Sequence, residues 1–114
     1  MTDQTLQITI QSIQNATILT PVGDIDMGNS SQLRAALKNS IDEEPSKIII
    51  DFHAVPYMDS SGLGTLIEAL QLSNQISTQL FLSNVTESVM SIIHLSKLDN
   101  IFTICDTKEI ALAK

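Results

Sequence analysis

The sequence predicts an α/β fold: a mixed β-sheet that opens with an antiparallel hairpin, continues as parallel βα units and carries about four helices. Three observations lead there. Strand-like and helix-like segments alternate from the second strand to the end of the chain, the pattern of parallel strands joined by crossovers. The run Ile48-Ile49-Ile50 is continuously apolar and β-branched, as in a strand covered on both faces. The 114 residues, 43% of them hydrophobic, suit a single domain over 1–114 with one core.

Each element has its own signal. Leu6-Gln7-Ile8-Thr9-Ile10 alternates strictly, which predicts a half-buried strand. Ser12 to Asn15 turns the chain into a second strand, Ala16 to Val22, where Pro21 suits an edge or the strand's end. After Gly23-Asp24-Ile25-Asp26, Asn29 with Gln32 three residues on predicts a capping box, and Leu33, Ala36, Leu37 and Ile41 recur at helical spacing. Lys47 to Phe52 is the central strand, and the loop from His53 to Asp59 leads to a helix whose stripe is Leu63, Leu66, Ile67 and Leu70. Gln79 to Ser83 is the next strand, and Thr86 is placed to cap a helix bearing Val89, Ile92 and Ile93. Ile101 to Cys105 closes the sheet, and Asp106 with Glu109 repeats the capping-box spacing before a short terminal helix.

Composition narrows the functional classes. A net charge of −7 disfavours nucleic acid, because phosphate binding draws on Lys and Arg. The N-terminus Met1-Thr2-Asp3-Gln4-Thr5 shows no basic leader, and no apolar run approaches the roughly 20 residues that span a bilayer. The expectation is a soluble, cytoplasmic protein with no membrane partner. The lone cysteine, Cys105, lies in an apolar strand pattern and reads as a buried, inert thiol. Two scattered histidines and one cysteine make no metal set.

In such a fold every strand-to-helix loop falls at the carboxyl edge of the sheet, where ligands and partners are met. That edge collects Asp24 to Asn29, Met58 to Gly62, Asn84 to Thr86 and Asp106. No Lys or Arg precedes Arg34, and none lies between Lys47 and Lys97, so the first two loops are acidic without a cation nearby in sequence. A solvated acidic surface would look the same. Met27 and Met58 flank this edge, either as core residues or as an adaptable contact surface.

The richest segment is Tyr57-Met58-Asp59-Ser60-Ser61-Gly62-Leu63-Gly64. The plain reading is that Asp59 or Ser60 caps the helix, a contribution of about 1 kcal/mol. A second reading adds phosphorylation. A phosphoserine brings about −1.5 to −2 charges, which a helix N-terminus accommodates. The domain then stays folded while its surface turns more negative.

Asp59-Ser60-Ser61-Gly62-Leu63-Gly64 after an apolar strand, with Gly23-Asp24-Ile25-Asp26 after the second strand, resembles anti-sigma factor antagonists with a STAS domain, and the element order agrees along essentially the whole chain. The resemblance implies that Ser61 is the phosphorylated serine and Ser60 its neighbour. It implies that Asp26 belongs to a partner-binding edge, expected here to comprise Asp24, Asp26, Asn29, Met58, Asp59, Ser60, Gly62 and Leu63, and that Asp59 orders the loop. It also implies the partners: an anti-sigma factor that is a serine kinase using ATP and magnesium, and a metal-dependent serine phosphatase that restores the active form. The unphosphorylated chain would bind the kinase and free a sigma factor. The chain would hold no cofactor of its own and would not be an enzyme.

Two rivals are weaker. A non-enzymatic STAS module of a signalling scaffold or lipid-transport complex would share the fold. A serine hydrolase would need G-x-S-x-G, whereas Asp59 and Leu63 stand at the glycine positions around Ser61, and neither His53 nor His94 has an evident triad role. Gly62-Leu63-Gly64 falls short of a nucleotide fingerprint, since Ile67 stands where the third glycine belongs.

Overall fold

The computed structural model describes residues 5–114; Met1 to Gln4, part of the segment expected to carry no basic leader, lie outside them. Five strands form one sheet in the order β1-β2-β3-β4-β5. β1 (Gln7–Ile13) and β2 (Ala16–Val22) make the antiparallel hairpin, while β3 (Lys47–Asp51), β4 (Gln79–Ser83) and β5 (Thr103–Cys105) add in parallel. Between them run α1 (Ser30–Asp42), α2 (Ser60–Gln75) and α3 (Glu87–Leu95), and α4 (Lys108–Leu112) follows β5. This is the predicted mixed sheet with four helices.

The period of two along β3 explains the layering. Ile48 and Ile50 point to the face that α1, α2 and α3 cover with Leu33, Leu37, Leu66, Val89 and Ile93, all fully buried. Ile49 points to the other face, where Ile18, Phe81, Cys105 and Ala111 of α4 close a smaller cluster. Burying each Ile or Leu side chain stabilises by about 1.5–3 kcal/mol, so the central strand anchors both layers. Cys105 is buried, as its strand pattern implied. Lys47 completes the second face: its Nζ donates to the carbonyls of Ala111 and Leu112 at 3.2 and 2.7 Å, satisfying the open C-terminal end of α4.

Several expectations need correction. β1 is not half-buried. Helices cover β2 to β5 but not β1, so Leu6 and Ile8 alone on their face reach the core and Ile10 stays 52% exposed. β5 starts two residues later than expected, because Ile101 belongs to a turn whose N–H bonds to the Leu98 carbonyl. Pro21, by contrast, stands at the strand's end as expected, past the β2–β3 ladder, which stops at Leu19. The capping boxes do not form. The Gln32 side chain instead accepts from the Leu6 N–H. The α4 cap is Thr107, not Asp106, with the Thr107 hydroxyl accepting from Ile110 N at 3.2 Å. Thr86 does precede α3, but its hydroxyl donates to the Val55 carbonyl at 2.8 Å and leaves the helix uncapped by a side chain.

Candidate functional site: two laced loops at the carboxyl edge

Beyond the β2–β3 ladder the two chains meet again. Gly23 N–H donates to the Ala54 carbonyl at 2.9 Å, Ile25 N–H to Tyr57 at 3.0 Å, and Asp59 N–H to Ile25 at 3.0 Å. Ile25 and Met58 thereby form an isolated parallel bridge, with both side chains buried. Gly62 must lack a side chain for this to happen: a Cβ there would stand 2.5 Å from Met58 Cγ and 2.9 Å from Ile25 Cγ2. The β2–α1 and β3–α2 loops are therefore one packed unit.

Asp59 is the hinge of that unit. It is the N-cap of α2, and its Oδ1 accepts from the N–H groups of Ser61 (2.9 Å) and Gly62 (3.3 Å). The same oxygen accepts from the Ser61 hydroxyl at 2.5 Å, while Oδ2 accepts from Met27 N–H across the loop boundary at 3.2 Å. The Ser61 hydroxyl does most to hold the Asp59 carboxyl below its usual 3.8. Partial burial pushes the other way, and the N–H groups of Ser61, Gly62 and Met27 add to the lowering.

The other predicted residues divide by exposure. Ser60 and Asp24 are exposed, and Ser61, Asp26 and Asp59 are half-buried. Asp26 Oδ1 accepts from Gly28 N–H at 2.9 Å, so this carboxylate shapes its own turn. Asn29 is buried rather than displayed. Its side chain accepts from Asp26 N–H at 2.9 Å and donates to the Asp24 carbonyl at 2.8 Å, fixing the loop instead of capping α1. Met58, Gly62 and Leu63 are also buried, with Met58 only 1% exposed; all three support the surface and do not present one. Of the two methionines expected to be either core or contact surface, Met58 is core and Met27, 83% exposed, is surface; Tyr57 and Val22, which the sequence did not single out as contacts, add to the exposed apolar area.

Ion pairs among the described residues join Arg34 to Glu68, His53 to Asp51 and His94 to Asp99; none of them includes Asp24, Asp26 or Asp59. Arg34 is held at 2.6 Å by Glu68, about two helical turns along α2 from Ser61. Among the described residues the Ser61 hydroxyl bonds to Asp59, while His53 pairs with Asp51 and His94 with Asp99. Among the described residues no helix is long and apolar enough to cross a membrane.

A sheet of this order, with a serine-bearing helix start laced to the β2–α1 loop, defines a STAS domain. The family matches residues 7–111, and the chain belongs to it. The chain is 26% identical over 110 residues, 96% of its length and 94% of the relative's, to an anti-sigma F factor antagonist of Paenibacillus polymyxa. In solved structures it is similar in fold to an anti-sigma factor antagonist from Mycobacterium paratuberculosis, with a TM-score of 0.88, 23% identity and coverage of 95% and 92% of the two chains. The Bacillus cell fate determinant SpoIIAA in its phosphorylated form aligns with a TM-score of 0.72 at 19% identity, over 95% of this chain and all of that one.

Proposed function

We propose that this protein is an anti-sigma factor antagonist switched by phosphorylation of Ser61. Unphosphorylated, it binds an anti-sigma factor serine kinase through the laced loops and releases a sigma factor. The kinase supplies ATP and magnesium; this chain contributes the acceptor hydroxyl. In the transfer the Ser61 Oγ–P bond forms, the bond from the γ-phosphorus to the nucleoside diphosphate breaks, and the hydroxyl proton departs. A serine phosphatase then hydrolyses the ester and resets the switch.

One observation carries the reading: the Ser61 hydroxyl sits half-buried in the first turn of α2, bonded to Asp59 at 2.5 Å, on an acidic surface that holds an exposed Met27. The surroundings suit a contact surface that a single dianion can spoil. The family membership and the antagonist names of relatives supply the class of partner.

Incubation with the cognate kinase and ATP should place phosphate on Ser61, mapped by mass spectrometry and distinguished from Ser60. Ser61→Ala should bind the kinase persistently. Ser61→Asp should weaken binding about a hundredfold, since a carboxylate buried at an interface without a partner costs several kcal/mol. Equal binding by wild type, Ser61→Ala and Ser61→Asp would instead favour a scaffold module.

A further inference from the structure

We propose that Asp59 is a latch that converts phosphorylation of Ser61 into release of the Met27 amide, so that the modified surface changes locally in shape as well as charge. The inference rests on the reading of Ser61 as the modified serine.

The two oxygens of Asp59 face different elements. Oδ1 serves α2, taking the Ser61 hydroxyl and the N–H groups of Ser61 and Gly62. Oδ2 serves the β2–α1 loop, taking Met27 N–H. The 2.5 Å contact between Ser61 Oγ and Asp59 Oδ1 depends on the hydroxyl proton. Esterification removes that proton and leaves two acceptors facing each other, a repulsive pair at such a distance. The phosphate adds about −1.5 to −2 charges beside a carboxylate, and it competes for the Ser61 and Gly62 N–H groups that Oδ1 holds at the helix start. All three effects push the Asp59 carboxylate away from its place.

The displacement reaches Met27 because little else holds that amide. Asp26 is turned toward Gly28, Asn29 bonds Asp26 and Asp24, and Met27 itself is 83% exposed. Losing Oδ2 frees the N–H of the most exposed apolar residue on the proposed contact surface. Asp59 is thus a positioning residue, acting through the loop and not on the transferred phosphoryl group.

The test uses the full chain with phosphoserine installed at position 61 during translation, so it does not depend on any kinase. Amide exchange of Met27, followed by NMR, should accelerate about fivefold, the scale expected for loss of one hydrogen bond. Asp59→Asn keeps a carbonyl oxygen for the α2 amides but offers Met27 an N–H₂ group. It should accelerate Met27 exchange by a similar factor without phosphate, and phosphoserine should then add less than twofold. Unchanged β3 and β4 amides show that each form is folded. Phosphoserine at position 60 should leave Met27 as it is. The latch is overturned by a Met27 amide indifferent to phosphoserine 61, by an Asp59→Asn amide as protected as wild type, by equal phosphate effects with and without the carboxylate, or by the same acceleration from position 60. A kinase that ignores Ser61 would sink the proposed function and leave this result standing.

Discussion

The carboxyl edge holds two pairs of loops that the topology makes equivalent, and the chain treats them differently. The β2–α1 and β3–α2 loops share a strand-like bridge, a buried Met58 and a carboxylate whose two oxygens serve both loops. The β4–α3 and β5–α4 loops meet through Asn84 N–H and the Asp106 carbonyl at 3.2 Å, and the polar side chains of the β4–α3 loop turn inward to support the first pair. Thr86 bonds Val55, and Asn84 Nδ2 donates to the buried Asp51 at 3.1 Å. One pair keeps a hydroxyl at the surface on a carboxylate that can be displaced; the other has committed its hydroxyl to a backbone carbonyl. A switch needs the first arrangement, and the second supplies a rigid base for it.

The strongest way to break this contrast is at Gly62. Gly62→Val places branched carbon atoms where a Cβ alone already stands 2.5 Å from Met58 Cγ. Met58 is enclosed, so the loops must part. Urea unfolding should show a loss of about 3 kcal/mol, the upper end of ordinary overpacking. At Gly64 nothing lies within 4 Å of a built Cβ, so Gly64→Ala should not destabilise and should gain several tenths of a kcal/mol from helix propensity. Similar losses at the two glycines would show that the lacing is not what Gly62 protects.

Asp59→Ala is the next smaller effect. It removes the α2 cap and the Met27 contact together, and should cost about 1–2 kcal/mol at neutral pH. Because folding lowers the Asp59 pKa below 3.8, the native state favours the carboxylate. Its contribution is fully present above the unfolded value of about 3.9 and is lost as pH falls through the lower folded value. The stability gap between wild type and Asp59→Ala should therefore stay constant from about pH 5 to 7 and narrow below about pH 4. A gap that widens on acidification would assign Asp59 the wrong role.

What was legible in the sequence follows the same division. Elements set by long apolar periodicity came out in place: the triple isoleucine of β3, the Leu33-Leu37-Ile41 stripe of α1 and the strand Gln79–Ser83. The segment around Ser61 was legible because its capping carboxylate lies two residues away and acts locally. The rest depended on contacts distant in the chain. Asn29 carries the right residue type for a cap but lies beside its own loop's amides, and Gln32 is drawn to Leu6, 26 residues away. Leu63 is buried as the α2 stripe implied, whereas the burial of Met58 follows from the Ile25–Met58 bridge, which no local pattern announces. The bare outer strand β1 likewise reflects where helices end, not its own alternation.

The smallest effect separates the two loop pairs most cleanly. Thr86→Val keeps the shape of the side chain and deletes the hydroxyl that donates to Val55. The Val55 carbonyl already accepts from no other described group, so its loss should cost about 1 kcal/mol in urea unfolding. The lesion lies under the β3–α2 loop and touches neither Asp59 nor Ser61, whose mutual bond is local to the first turn of α2. If the second pair is only a base, phosphorylation of Ser61 and Met27 amide exchange should change by less than twofold while stability falls. A variant that keeps its stability but alters either readout would mean that the β4–α3 loop takes part in the switch itself, and the division of labour between the two pairs would have to be redrawn.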